Sequence, residues 1–441
     1  LKFPRWAPQS AQHPPPPMYT RPGMLAGAAM RARAALLPSG ALAPAAGALG
    51  DFGRAVGSRV RASSGDASAR RVNGSAPAGI SLPTSDVWTL AEPGSEGWMS
   101  SNPALPIDGP LTAGDTAFKY VVNIINAKVY DVCKQTEMHH APKLSELTGN
   151  RVLLKREDQQ RIYSFKLRGA YNRVVHLTSE ERSRGVCACS AGNHAQGVAY
   201  STTALGLSAK IFMPKTTPAI KVDSVRRLVN DRSEVVLVGE TYDEAHAATV
   251  ACQVQEGRVL VHPFNDPLVI TGQGTIAQEI VAQAQEPIDA VFCCVGGGGL
   301  LAGVGIYLRS VRPGIKIIGV EAADSAAMTE SLRRGFVHEL PRVGLFADGA
   351  AVKRVGEESF RLCQQVVDEM ITVSTDEICS AIKASFLDTR VVMEPAGALA
   401  AAGLVKYAKQ TGSRGRTYVA VSSGANMDFD RLRFVSERAA G

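Results

Sequence analysis

No stretch of this chain is apolar for long enough to cross a bilayer as a helix. No segment repeats at a fixed period, so repeat architectures are not expected. Cysteine is sparse, with 8 in 441 residues, and does not make a disulfide framework. Cys187 and Cys189 form a C-x-C, and Cys293 and Cys294 are adjacent; neither matches the paired spacing of a zinc site. Both pairs lie in apolar runs that read as buried strands, where cysteine behaves as a small hydrophobe, so a reducing compartment fits. Acidic residues are almost missing from positions 1–79, where Asp51 and Asp66 stand alone. Much of the formal net charge of +7 therefore arises there, and the remainder is close to balanced. Nucleic-acid binding is not expected.

What is present is ordinary for a globular protein: 45% hydrophobic and 20% charged residues, with room for two or three domains or subdomains. Positions 1–79 are made of Ala, Pro, Ser, Gly and Arg, including Arg31, Arg33, Arg54, Arg59, Arg61, Arg70 and Arg71. Such a composition cannot bury enough apolar surface to offset ordering entropy. It reads as a disordered transit peptide, for a plastid before a mitochondrion; a disordered tail or mistranslated upstream sequence is the plainer reading. Positions 80–115 read as a Gly/Pro-rich linker, 116–437 as a catalytic domain and 438–441 as a tail.

From Thr116 onward, short apolar runs alternate with helix-length segments. The runs lie at 152–155, 186–189, 210–213, 234–238, 290–295, 315–320 and 417–421. Continuous apolar strands separated by helices predict an α/β class with parallel sheet covered on both faces. In such sheets, sites form at the carboxyl ends of strands.

Four loops carry chemistry. Ser164-Phe165-Lys166-Leu167-Arg168-Gly169-Ala170 opens a helix. A lone lysine is usually a solvated surface residue, but Lys166 lies between Phe165 and Leu167 at a helix start, which disfavours its charged form. A Schiff-base lysine needs that. Ser190-Ala191-Gly192-Asn193-His194-Ala195-Gln196-Gly197 follows the strand at 186–189, where exposed N–H groups can take a carboxylate or merely cap the helix. Gly296-Gly297-Gly298-Gly299-Leu300 lets backbone fold around a phosphate. With Glu321 as an acidic ribose ligand, that loop alone would also suit a dinucleotide and an oxidoreductase, a reading that leaves Lys166 unexplained. Ser422-Ser423-Gly424-Ala425-Asn426 places a serine that can meet a ring nitrogen or cap a turn.

In this order and at these separations, the four resemble the biosynthetic threonine dehydratases (threonine deaminases), especially the plant ones, among fold-type II pyridoxal phosphate enzymes. Leu154-Lys155-Arg156-Glu157-Asp158, His262-Pro263-Phe264-Asn265-Asp266-Pro267, Gly272-Gln273-Gly274-Thr275, Phe346-Ala347-Asp348-Gly349 and Glu394-Pro395-Ala396-Gly397-Ala398 extend the likeness over about 116–437. The resemblance implies a tryptophan synthase β-like fold: two parallel-sheet α/β subdomains with pyridoxal 5'-phosphate between them. It implies that Lys166 holds the cofactor covalently and acts as the base at the substrate's Cα, beside Phe165. Asn193 would meet the cofactor's ring hydroxyl, and Ser190, Ala191, Gly192 and His194 would receive the substrate carboxylate. Gly296, Gly297, Gly298, Gly299 and Leu300 would cradle the phosphate, which in the family is the expected proton donor to the leaving hydroxyl. Ser423 would face the pyridine nitrogen. No metal is implied. The substrate would be L-threonine, with L-serine as a second, and identical copies would assemble into an oligomer.

The segment Val229-Asn230-Asp231-Arg232-Ser233 departs from the family's short glycine turn, and Tyr163 from its usual phenylalanine. Feedback-controlled members continue into a regulatory domain, whereas this chain stops at Gly441, so simple kinetics without isoleucine control are expected. The nearest rival is a serine racemase or serine dehydratase. Racemase-like members carry a second serine before G-N-H, where this chain has Ala191. A catalytically dead homologue serving as a binding subunit is a rival from another class, opposed by intact Lys166, Asn193 and Ser423.

Overall fold

The computed structural model describes residues 113–439. The transit-peptide-like segment 1–79 and the linker up to 112 lie outside the described residues. The helix Ala113–Ile125 begins three residues inside the expected linker, with Asp115 in its first turn, where a negative charge suits the helix dipole.

Among the described residues ten strands follow in chain order: β1 (Met138–His140), β2 (Arg151–Lys155), β3 (Val186–Cys189), β4 (Ala209–Met213), β5 (Glu234–Leu237), β6 (Val259–Leu260), β7 (Ala290–Cys294), β8 (Lys316–Ala322), β9 (Glu369–Val373) and β10 (Thr417–Val421). They form two sheets. The larger has the order β1-β2-β10-β7-β8-β9 and the smaller β5-β4-β3-β6. Every pairing is parallel except β1 with β2, which runs antiparallel at the edge. The expected α/β class with parallel sheets is borne out.

The central strands β3, β7 and β10 are buried along their whole length, as continuous apolar runs between two helical layers must be. β5 and β9 lie at sheet edges and are only partly buried, so their runs carry acids and polar residues. All eight cysteines are buried and free.

Helix starts follow local chemistry. Thr178, Thr241 and Ser374 each form a reciprocal capping box with a glutamate three residues on. Asp266 caps Pro267–Gln283 by accepting from the N–H groups of Leu268 and Val269, with Pro267 at the first position. That long helix ties the two sheets together. It packs against Gly299–Val311 of the larger subdomain and against Lys166–Val175. A Cβ at Gly272 would stand 2.6 Å from the Arg168 carbonyl, so only glycine allows the backbones of the latter pair to approach this closely. The 229–233 segment is a surface turn braced by Asn230, whose Oδ1 accepts from Arg232 N at 3.0 Å and from Ser233 Oγ at 2.9 Å. Among the described residues, no helix is long and apolar enough to cross a membrane.

Candidate active site

All four loops leave the carboxyl ends of strands or open helices at one cleft between the sheets. Lys166 is the first residue of Lys166–Val175. Tyr163, three residues earlier, takes the left-handed conformation (φ 58°), uncommon for a side chain of its size. The backbone there is pinned to the Ser423 loop: Phe165 N donates to Ser423 O at 3.1 Å, and Ala425 N to Tyr163 O at 2.9 Å. Lys166 Nζ donates to Pro263 O at 2.8 Å and lies 5.3 Å from the centre of the Phe165 ring. Burial pushes its amine down to about 8, with Cys294 and Glu394 pulling the other way. A substantial neutral fraction near physiological pH is what a lysine nucleophile requires.

The glycine loop follows β7. Gly298 has φ 93° and stands immediately before the helix Gly299–Val311. A Cβ at Gly297 would lie 2.1 Å from the Phe264 ring, so the loop is closed over that ring and its N–H groups collect at a helix N-terminus. Phe264 neighbours Pro263, the acceptor for Lys166, and one short loop thus supports both lysine and glycines. Leu300 lies one residue into the helix with its side chain in the core.

Ser190, Ala191 and Gly192 are half-buried between β3 and the helix Asn193–Ala204. An added Cβ at Gly192 would meet nothing, so this loop borders open space that a substrate carboxylate can enter. The His194 ring is engaged elsewhere in the small subdomain. Its Nε2 pairs with Val261 O at 2.7 Å, and burial, then Lys166, hold the buried ring down to about 3. It is a neutral brace within the small subdomain. Ser423 is buried; its hydroxyl accepts from Cys294 Sγ at 3.2 Å and donates to Ala396 O at 3.2 Å.

Sequence reasoning missed three contributors. Pro263, Cys294 and Glu394 touch or face the lysine, and only the family likeness of H-P-F-N-D-P and E-P-A-G-A pointed near two of them. Glutamate followed by proline at a helix start is a local signal for Glu394, but it says nothing of the cleft. Glu321 is no ribose ligand: its buried carboxylate accepts from Met328 N and Thr329 N at 2.8 Å each and from Thr329 Oγ1 at 2.6 Å.

The residues fit a phosphorylated aldehyde. A lysine with a depressed pKa is available to bind the carbonyl covalently, a glycine loop at a helix N-terminus suits the phosphate, and buried Ser423 offers a neutral hydroxyl. Two parallel α/β units meeting at such a cleft define a fold-type II pyridoxal phosphate enzyme.

The chain belongs to the pyridoxal-phosphate dependent enzyme family, which it matches over residues 129–424, and within that family to the threonine dehydratases (threonine deaminases). It is 55% identical over 320 residues to the biosynthetic L-threonine dehydratase IlvA of Burkholderia multivorans, covering 73% of this chain and 63% of that one. To the chloroplastic threonine dehydratase 1 of Solanum lycopersicum it is 51% identical over 337 residues, 76% of this chain and 55% of that one. The chain thus spans little more than half to under two thirds of these relatives. The solved structure of the processed form of threonine deaminase isoform 2 from Solanum lycopersicum matches with a TM-score of 0.72 and 46% identity, over 75% of this chain and 95% of that one.

Proposed function

We propose that this chain removes water from L-threonine and releases 2-oxobutanoate and ammonia, the first step of isoleucine biosynthesis, with L-serine giving pyruvate. One observation carries the choice of elimination. Lys166 supplies a base to one face of the substrate's Cα, and Ala191, at the start of the carboxylate loop, supplies no acid to the other. A racemase needs both. Relatives named threonine dehydratase at 51–55% identity support the substrate.

When bound, the cofactor supplies an electron sink for the bond broken at Cα. The chain's residues do the rest. Backbone N–H groups of Gly296, Gly297, Gly298, Gly299 and Leu300 would hold the phosphate, and the loop of Ser190, Ala191, Gly192 and His194 would receive the substrate carboxylate. Asn193 would steady the ring oxygen. Lys166 would take the Cα proton. Ser423 would offer the ring nitrogen a neutral hydroxyl, which does not enforce protonation there and would favour prompt loss of the β-hydroxyl. Water lost from threonine is regained when the released imine hydrolyses, so the net products are the oxo acid and ammonia.

The test is release of 2-oxobutanoate by the yellow purified protein. Threonine should be turned over with no D-enantiomer formed from serine. A protein that racemises serine without releasing oxo acid would overturn the reading. The Arg-bearing, acid-poor composition of 1–79 supports delivery to a plastid; an import assay with isolated chloroplasts tests it. An assembly of identical copies, a catalytic domain of 116–437 and the site roles above belong to the same proposal.

A further inference from the structure

Asn193 comes from the small subdomain, yet both ends of its amide are held by the large one. Asn193 Nδ2 donates to Glu394 Oε1 at 2.6 Å. Asn193 Oδ1 accepts from Asn426 Nδ2, also at 2.6 Å. Asn426 cannot reverse this, because the same Nδ2 donates to Ile162 O at 2.9 Å and both of its hydrogens are thereby assigned. Asn193 therefore has one orientation, with its carbonyl towards Asn426 and its amino group towards Glu394. Of the two N–H groups on Nδ2, one is spent on the glutamate. The second is left for a group entering the cleft.

Glu394 is buried at the position preceding the helix Pro395–Thr411. Gly424, two residues before Asn426, makes room for it: a Cβ there would lie 2.2 Å from Glu394 Oε1. Asn426 and Gly424 thus act on Asn193 from both sides, one by donating and one by admitting the acceptor. Neither Glu394 nor Asn426 needs to touch the cofactor to set how Asn193 meets it.

We propose that Glu394 and Asn426 are positioning residues that lock the Asn193 amide, so that its free N–H is presented to the oxygen on the cofactor ring. This rests on the cofactor and not on the identity of the substrate. It also makes the ring's environment sensitive to pH. Burial pushes the Glu394 carboxyl up to about 7, with Asn193, Lys221 and Lys166 favouring its ionised form and Asp348 opposing it. The other titratable group facing it is the Cys294 thiol, which burial pushes up to about 11. Ionisation of Glu394 strengthens its hold on Nδ2, because a charged acceptor makes the shorter, stronger bond.

The test measures the bound cofactor's visible absorbance in Glu394→Gln, Asn426→Ala, Asn193→Ala and the Asn193→Ala/Glu394→Gln double variant. Each single variant should weaken cofactor binding roughly tenfold, the worth of one well-placed hydrogen bond. The double variant should bind no more weakly than Asn193→Ala alone, since Glu394 acts through that amide. The wild-type absorbance should change as pH rises through about 7, and this change should vanish in Glu394→Gln. Additive losses in the double variant, or a pH titration that survives in Glu394→Gln, would overturn the proposal. If the glutamine variant failed to fold, Asn426→Ala with and without Asn193→Ala would carry the same comparison. Because the readout is cofactor absorbance, a chain that ignored threonine would leave this result standing.

Discussion

Two cations sit two residues apart on one helix, Lys166 half-buried and Arg168 fully buried, and have opposite fates. Lys166 faces the cleft with one neutral partner, the Pro263 carbonyl at 2.8 Å. Arg168 points beneath it into a polar core. Its Nε and Nη2 donate to both oxygens of Glu157 at 2.7 Å, and its Nη1 donates to Glu279 at 2.6 Å and Thr275 at 3.1 Å. Lys155 completes the set by donating to Glu279 Oε2 at 2.6 Å, while Thr136 donates to Glu157 at 2.6 Å. Two cations thus face two carboxylates, all fully buried or nearly so. Burial opposes the charge of Arg168, but Glu157 and Glu279 overcome it and hold the guanidinium firmly charged. Lys166 has no comparable partner, and burial wins. The same helix therefore supplies a reactive amine and a fixed anchor, and the difference lies in where carboxylates stand.

The strongest test of the contrast removes the amine. Lys166→Ala should abolish the cofactor's covalent absorbance and cut turnover by on the order of a thousandfold or more, since base and anchor are lost together. Burying an amine that resists charging costs stability, so the thermal midpoint should hold or rise. A variant that keeps both its absorbance and its turnover would remove Lys166 from the chemistry.

Next in size is the anchor. Arg168→Met leaves Glu157 and Glu279 in the interior without their main partner, and breaking a buried pair this way costs about 3–5 kcal/mol. Urea unfolding should show this as a lower midpoint with little change in slope. A loss under about 1 kcal/mol would mean that the network is dispensable.

How much of this was legible beforehand differs between the two residues. Lys166, the glycines and Ser423 are carried by contiguous motifs whose chemistry can be read one loop at a time, and the strand runs from 152 to 421 mark both sheets. Arg168 lay in the same quoted motif but gave no sign of its role, because Glu279 is 111 residues away. Glu394 meets Asn193 across 201 residues for the same reason. Strands β1, β6 and β9 also escaped reading: β6 has two residues, and β1 and β9 are edge strands without a continuous apolar run. Pairing between distant segments leaves no periodic trace.

The third prediction concerns pH. Cofactor capture by cofactor-free protein requires the neutral Lys166 amine. With that amine held to about 8, the neutral fraction rises roughly tenfold per pH unit below 8 and saturates above it. An ordinary lysine would carry the rise on to about 10.4. Stopped-flow absorbance across this range distinguishes them, and a rate still climbing at high pH would place Lys166 among ordinary surface lysines.

The smallest expected effect separates charge pairing from the number of hydrogen bonds. Tyr130 donates its hydroxyl to Glu279 Oε1 at 2.8 Å, on the same oxygen that Arg168 Nη1 reaches at 2.6 Å. The other oxygen accepts from Lys155 Nζ at 2.6 Å and Thr136 N at 3.1 Å. Tyr130→Phe removes one donor while leaving the ring in place and the charges balanced. Glu279 keeps three partners, and Tyr130 is itself 45% exposed, so no buried group is stranded. The cost should be about 1 kcal/mol or less, the net worth of an ordinary hydrogen bond. Capture of the cofactor should keep its midpoint near pH 8, because Lys166 does not draw on this network. If Tyr130→Phe instead destabilised the chain as much as Arg168→Met, stability would reside in the completeness of the hydrogen-bonded network and not in the pairing of its charges. The contrast between Lys166 and Arg168 would then need a different cause.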